Sequence, residues 1–146
     1  MGAMKEPAAT LYEADYHAWT QEQAARLRCG DFARLDVTHL IEEIESLGRT
    51  EERELESRLA QLLMHLLKWE RQPSKRGNSW TATIREQRRR VERLFKRMPS
   101  LRSKADDFLA EAYPDAVFMF DQDTGLGTET LPLHRRAGAE RRLAAV

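Results

Sequence analysis

The chain has 146 residues, enough for one domain with a real core, and 41% of them are hydrophobic against 33% charged, an ordinary composition for a soluble folded protein. No apolar run approaches the ~20 residues of a membrane span, and the single cysteine, Cys29, excludes an internal disulfide or a multi-cysteine zinc site. The 24 basic and 24 acidic side chains cancel, but the signs are separated: residues 71–104 hold 12 Lys or Arg against Glu86 and Glu92, while residues 11–70 hold 13 acids against 7 bases.

Residues 1–7 lack the apolar stretch of a signal peptide, so a cytoplasmic location is expected. The first predicted helix starts after Asp15 and runs to about Arg28. Asp15 suits its cap, Tyr16, Trp19, Gln23 and Leu27 share a side, and Gly30 suits its exit. A short element with Phe32 and Leu35 follows. Asp36 then caps a second helix, in which Val37, Leu40, Ile41, Ile44 and Leu47 recur at helical spacing up to a stop at Gly48.

Thr50 opens a third helix with Glu51 and Glu52 in its first turn, where carboxylates meet the helix dipole favourably. Leu55, Leu59, Leu62, Leu63, Leu66 and Leu67 form its wide stripe, which Trp69 extends, and Pro73 and Gly77 end it. A bend at Gly48 could replace a true loop before this helix. Asn78 or Ser79 caps a fourth helix with Trp80, Ile84, Val91, Leu94, Phe95 and Met98 on one side and arginines spread over the rest. Pro99 stops it and Ser100 caps a fifth, which carries Leu101, Ala105, Phe108, Leu109, Ala112, Val117 and Phe120 and is kinked or divided at Pro114. No stretch alternates as a strand does.

These elements predict an all-α fold: a compact four- to five-helix bundle, mostly antiparallel, spanning residues 12–127, with the leucine stripe of 55–67 facing Ile84, Val91, Phe95 and Met98. Residues 1–11 and 128–146 are expected to be mobile ends. The Arg135–Arg136 and Arg141–Arg142 pairs read as a solvated tail.

Three function classes remain. The basic helix offers Arg85, Arg89, Arg93 and Arg97, with Lys75 and Arg76 extending the patch, to the phosphates of a nucleic acid. Phosphate contacts carry no base readout, and the chain has no zinc finger, KH loop or paired RNA-binding aromatics. Acidic residues elsewhere in the chain, Glu42, Glu43, Glu45, Glu52 and Glu56, could pair with this patch instead. A metal or an acid–base reaction could use His39 and Glu43, four residues apart, with His65. That reading requires three groups to converge, and one spacing relation on one helix does not supply the convergence. A hydrogen-bonded, half-buried His65 is the plainer alternative. Cys29 has no activating motif, and Ser79, Thr81 and Thr83 lack a His–Asp arrangement. Trp69 and Trp80 flank the basic turn of residues 71–78 and read as anchors of the helix junction. No cofactor is implied. The reading that remains is an interaction or scaffold module, with a protein partner or a homodimer as its complement and no membrane.

The segments Asp15-Tyr16-His17-Ala18-Trp19-Thr20, Leu40-Ile41-Glu42-Glu43-Ile44-Glu45-Ser46-Leu47-Gly48 and Leu63-Met64-His65-Leu66-Leu67-Lys68-Trp69 stand in a distinctive order. Asn78-Ser79-Trp80, Thr83-Ile84-Arg85-Glu86-Gln87-Arg88 and Pro99-Ser100-Leu101 continue the series. Together they closely resemble the bacterial family known only as domain of unknown function twenty-nine, over about residues 12–127. The resemblance implies an all-helical fold and marks His17, Glu42, Glu43, Glu45, His65, Trp69, Trp80, Arg85 and Arg88 as positions of the family pattern. It brings no activity, substrate or catalytic residue. After Gly125 the sequence departs from that pattern.

Overall fold

The computed structural model describes residues 10–129 and Leu131. The two arginine pairs of the tail, and most of both ends expected to be mobile, lie outside the described residues. Among the described residues the chain is all-α, and its helices pack mostly antiparallel. In order they are α1 (Leu11–Ala14), α2 (Tyr16–Cys29), α3 (Val37–Arg71), α4 (Asn78–Arg97), α5 (Pro99–Arg102) and α6 (Ala105–Thr124). Two 3-10 turns, Phe32–Arg34 and Pro73–Lys75, lie between them. The described residues form two compact units, divided between Gly48 and Arg49.

In the first unit, local chemistry sets the helix ends. The Asp15 carboxylate accepts the Ala18 amide at 2.9 Å and so satisfies an orphan N–H of the first turn of α2. Gly30 ends α2 at φ 75°, a left-handed conformation that costs other residues strain. Asp36 caps α3: its carbonyl accepts the Leu40 amide at 3.0 Å and its carboxylate accepts the His39 amide at 3.4 Å. The face predicted for α2 is buried only in its middle, at Trp19 and Gln23, while Tyr16 and Leu27 stay about half exposed.

The stop predicted at Gly48 does not occur. Helix α3 runs unbroken for 35 residues, and Gly48 is not among the glycines with positive φ. An interior glycine costs a helix only about 1 kcal/mol relative to alanine, which flanking turns of good helix formers absorb. The acids Glu51 and Glu52 therefore lie mid-helix, not at a first turn. Helix α4 also starts differently. Gly77 occupies the cap position with no side-chain cap, and Asn78 and Ser79 lie inside the helix. Ser100 likewise lies inside α5, which Pro99 opens at a position where its missing N–H costs nothing. Pro114 does not divide α6, which continues through it to Thr124. Its neighbours Ala112, Tyr113 and Ala116 are buried, and that packing offsets the hydrogen bond that proline removes.

The second unit is a helical bundle built on the leucine stripe. Leu55, Leu59, Leu63 and Leu67 of α3 pack in one cluster with Val91 and Leu94 of α4, Leu101 of α5, and Phe108, Leu109, Ala112, Ala116 and Phe120 of α6, with Phe95 and Met98 against its edge. Leu62 and Leu66 form a smaller cluster with Ile84, and Trp69 packs on it. The predicted pairing of the 55–67 stripe with Ile84, Val91, Phe95 and Met98 is thus present, divided between two faces of α3. At the far end Lys68 pairs with Asp123 and sits 5.0 Å from the Trp80 ring.

The apolar spacing of residues 37–47 does not produce a core. Val37, Ile41, Ile44 and Leu47 are 54%, 51%, 67% and 68% exposed. Among the described residues of the first unit only Trp19 and Gln23 are buried.

Candidate functional site

Each unit brings together one group of chemistry-bearing side chains. In the first, Asp36 is the hub. Its Oδ2 accepts Trp19 Nε1–H at 2.9 Å and lies 2.7 Å from His39 Nδ1. An ionised carboxylate can only accept, so His39 Nδ1 carries the proton in that contact. Buried Gln23 accepts the Asp36 amide at 2.8 Å. The Tyr12 ring stacks on the His39 ring with centroids 3.9 Å apart, and Trp19 meets Tyr12 edge-on at 4.8 Å. Glu43, one turn beyond His39, accepts both the Tyr12 and the Tyr16 hydroxyl at 2.6 Å. The sequence reading missed Tyr12 and Tyr16 as partners of Glu43. Their contacts span 31 and 27 residues, beyond any helical periodicity.

The hydrogen bonds set the acidities. The His39 and Trp19 donors hold the Asp36 carboxyl below its ordinary value of 3.8, and the two tyrosine hydroxyls hold Glu43 below 4.5. Conversely, the Glu43 carboxylate pushes Tyr12 up to about 12. A lowered carboxyl stabilises the fold above its unfolded pKa, and that contribution is lost as pH falls through the folded one. A raised phenol acts in the opposite sense, contributing below pH 10.0 and losing its effect as pH rises toward about 12. Stability of the first unit should therefore be level from about pH 6 to 9 and fall below about pH 4.5. In a chain carrying Trp69→Phe and Trp80→Phe, Trp19 fluorescence reports this unit alone. Glu43→Gln should flatten the acid limb, and an unaltered acid limb in that variant would contradict the assignment.

The three residues considered for a metal are each engaged. His39 meets Asp36, Glu43 holds two phenols, and His65 Nδ1 lies 2.8 Å from the Gln61 carbonyl one turn back. The structure brings His39 and Glu43 into one cluster and puts His65 in the other unit. Among the described residues no group of three or more His, Cys, Asp or Glu side chains is placed to hold a metal ion. As chemistry, the Asp36–His39 pair orients an imidazole as a carboxylate orients a general base, but Tyr12 and Trp19 pack against that ring. His17, Glu42 and Glu45 are exposed, as is Cys29.

In the second unit the groove between α3 and α4 is the charged feature. A cavity of about 310 Å³ is lined by Glu54 and Arg58 of α3 and by Glu86, Arg89, Arg90, Arg93, Leu94 and Arg97 of α4. Of the six basic residues singled out in the sequence, Arg89, Arg93 and Arg97 line it. Arg85 is exposed on α4 outside the lining, and Lys75 is exposed in the turn. Arg76 is turned away, donating from Nε to the Trp69 carbonyl at 2.7 Å with its guanidinium 5.1 Å from the Trp69 ring. Trp69 and Trp80, both half-buried, lie against the cations of Arg76 and Lys68 at the helix junction. Arg58 and Arg90 were missed. Arg90 shares the arc of Arg93 and Arg97 by helical spacing, and Arg58 is visible only once α3 lies beside α4. Across the two helices Arg97 pairs with Glu51 at 2.5 Å, an acid outside the set Glu42, Glu43, Glu45, Glu52 and Glu56 that the sequence offered for this patch. Glu86 instead serves its own helix, bonding Arg90 at 2.7 Å and Arg89 at 2.8 Å.

No helix among the described residues is long and apolar enough to cross a membrane. The model of the family described as Domain of unknown function DUF29 matches residues 11–145, and the chain belongs to that family. The match continues through residues 128–145, which the sequence reading leaves outside the resemblance. No curated relative and no solved structure matches the chain.

Proposed function

We propose that this member of the DUF29 family is a non-catalytic interaction module that docks through the apolar face of residues 37–47, and that its first partner is a second copy of itself. The observation that carries the reading is the exposure of that face. Val37, Ile41, Ile44 and Leu47 are each more than half exposed, in a unit whose buried residues among those described are Trp19 and Gln23 alone. A set of large apolar side chains at helical spacing, left in water, marks an interaction surface.

Its spacing favours self-pairing. Val37, Leu40, Ile44 and Leu47 follow one another at intervals of three, four and three residues, which are the two core positions of a heptad. β-Branched residues at the first core position and leucine at the second select a two-stranded parallel pair. Two heptads are short. Burial at about 25 cal/mol per Å² only just exceeds the cost of association, so the dimer is weak and concentration-dependent.

Sedimentation over a roughly hundredfold concentration range tests this. The chain should pass from monomer to dimer, and Ile44→Glu or Leu47→Glu should hold it monomeric without changing its helical circular dichroism. A chain that stays monomeric at the highest concentration, or glutamate variants that dimerise as the parent does, would reject the reading.

A further inference from the structure

The groove between α3 and α4 collects like charge that the fold does not need. Five guanidinium groups, from Arg58, Arg89, Arg90, Arg93 and Arg97, surround one cavity of about 310 Å³ that also contains two carboxylates, Glu54 and Glu86. Arg89, Arg93 and Arg97 succeed one another at i,i+4, the spacing at which like charges on a helix repel. All three are exposed, so none is there to fill the core. Glu86 relieves part of the repulsion by bonding Arg89 and Arg90, and Glu51 holds Arg97 at the far end. Arg58 reaches Glu54 only at 3.9 Å. Arg93, in the middle of the series, makes no hydrogen bond or ion pair among the described residues.

The geometry points to a binding site for an oligophosphate, a chain of two or three linked phosphates, either free or as the tail of a nucleotide, seated across Arg58, Arg89, Arg93 and Arg97. Arginine is suited to this task because its planar fork donates two parallel hydrogen bonds to neighbouring phosphate oxygens. Helical spacing puts successive forks about 6 Å apart along α4, so one anion of several phosphates spans more than one of them. The volume is near the lower end of small-ligand sites. Leu94, 6% exposed, forms part of the lining and anchors α4 in the core. Glu86 holds two arginines at the groove. The carboxyl of Glu86 is itself held below its ordinary value, first by Arg90 and then by Arg89, so it stays ionised as a brace.

This site is independent of the apolar face of residues 37–47, and its test does not depend on self-association. Calorimetric titration of the full chain with inorganic tripolyphosphate at about 150 mM salt, where long-range attraction is screened, should show saturable one-to-one binding. Arg93→Ala should weaken it at least tenfold while leaving the thermal melt unchanged, since that side chain makes no internal pair. The double variant Lys75→Ala, Arg76→Ala, outside the groove, should bind as the parent does. A nucleoside triphosphate that binds as tightly as tripolyphosphate identifies the phosphates alone as the ligand, and one that binds tighter identifies a nucleotide tail; both support the site. The proposal is overturned if no saturable binding occurs at this salt, if the Lys75/Arg76 variant loses as much affinity as Arg93→Ala, or if a single-stranded oligonucleotide displaces tripolyphosphate through contacts that need Lys75 and Arg76.

Discussion

Replacing Leu63 with alanine should lower the stability of the second unit by about 2–5 kcal/mol, the range for deleting a fully buried leucine side chain. Leu63 is 0% exposed and belongs to the cluster in which α3 meets α4 and α6. The loss combines the transfer free energy of the removed carbons with the cavity left among neighbours that cannot fully collapse. Leu47→Ala is the matched control. It sits on the same helix, is 68% exposed, and should change the stability of a dilute monomer by no more than about 0.5 kcal/mol. Denaturant unfolding followed by circular dichroism reads both. Equal effects of the two substitutions would mean that the bundle is not packed as described.

Trp19→Ala should have the second large effect, about 3–5 kcal/mol, and it should be local. Trp19 is 3% exposed, donates its indole N–H to Asp36, and has the rings of Tyr12 and Tyr16 against it. Gln23 is the other buried residue in the described part of the first unit, so removing the indole leaves that unit without an apolar centre. Hydrogen exchange should show amides of α2 losing protection while those of α4 and α6 keep theirs. Trp19→Phe separates the two contributions. It retains a ring for Tyr12 to pack on and loses the hydrogen bond to a charged acceptor, about 1.5–3 kcal/mol, together with part of the buried indole surface. Unchanged protection of α2 in Trp19→Ala would show that the aromatic cluster does not hold the unit together.

The same cluster shows where reading residues in order stops being informative. Asp36 was legible as the cap of a helix, with His39 three residues on in its first turn. Tyr16 and Trp19 were visible at one end of another helix, whereas Tyr12 precedes the predicted start after Asp15 and lies in the separate short helix α1. That two phenols would share the oxygens of Glu43, and that an indole and an imidazole would share one oxygen of Asp36, depends on the reversal of the chain through the Phe32–Arg34 turn. The arginine groove has the same origin. Arg89, Arg93 and Arg97 were legible as a stripe of α4, and Arg58 joins them only because α3 packs beside α4 in the second unit.

What the sequence alone determined is the helical character of the chain, most of its helix ends, and which side of each helix is apolar. Those properties are local. Caps such as Asp15 and Asp36 and exits such as Gly30 act on backbone groups within one turn, and apolar periodicity is a property of a helix by itself. Tertiary structure decided which apolar side is covered. Leu47 and Leu63 belong to stripes of the same kind on one continuous helix, yet the first is in water and the second in the core. Periodicity states that a helix has a face to bury, and only the packing of other helices states whether anything in the chain buries it. Continuity through Gly48 and Pro114 was decided in the same way. The local penalty of each residue is a few kcal/mol at most, and the helix on either side, together with the buried neighbours of Pro114, outweighs it.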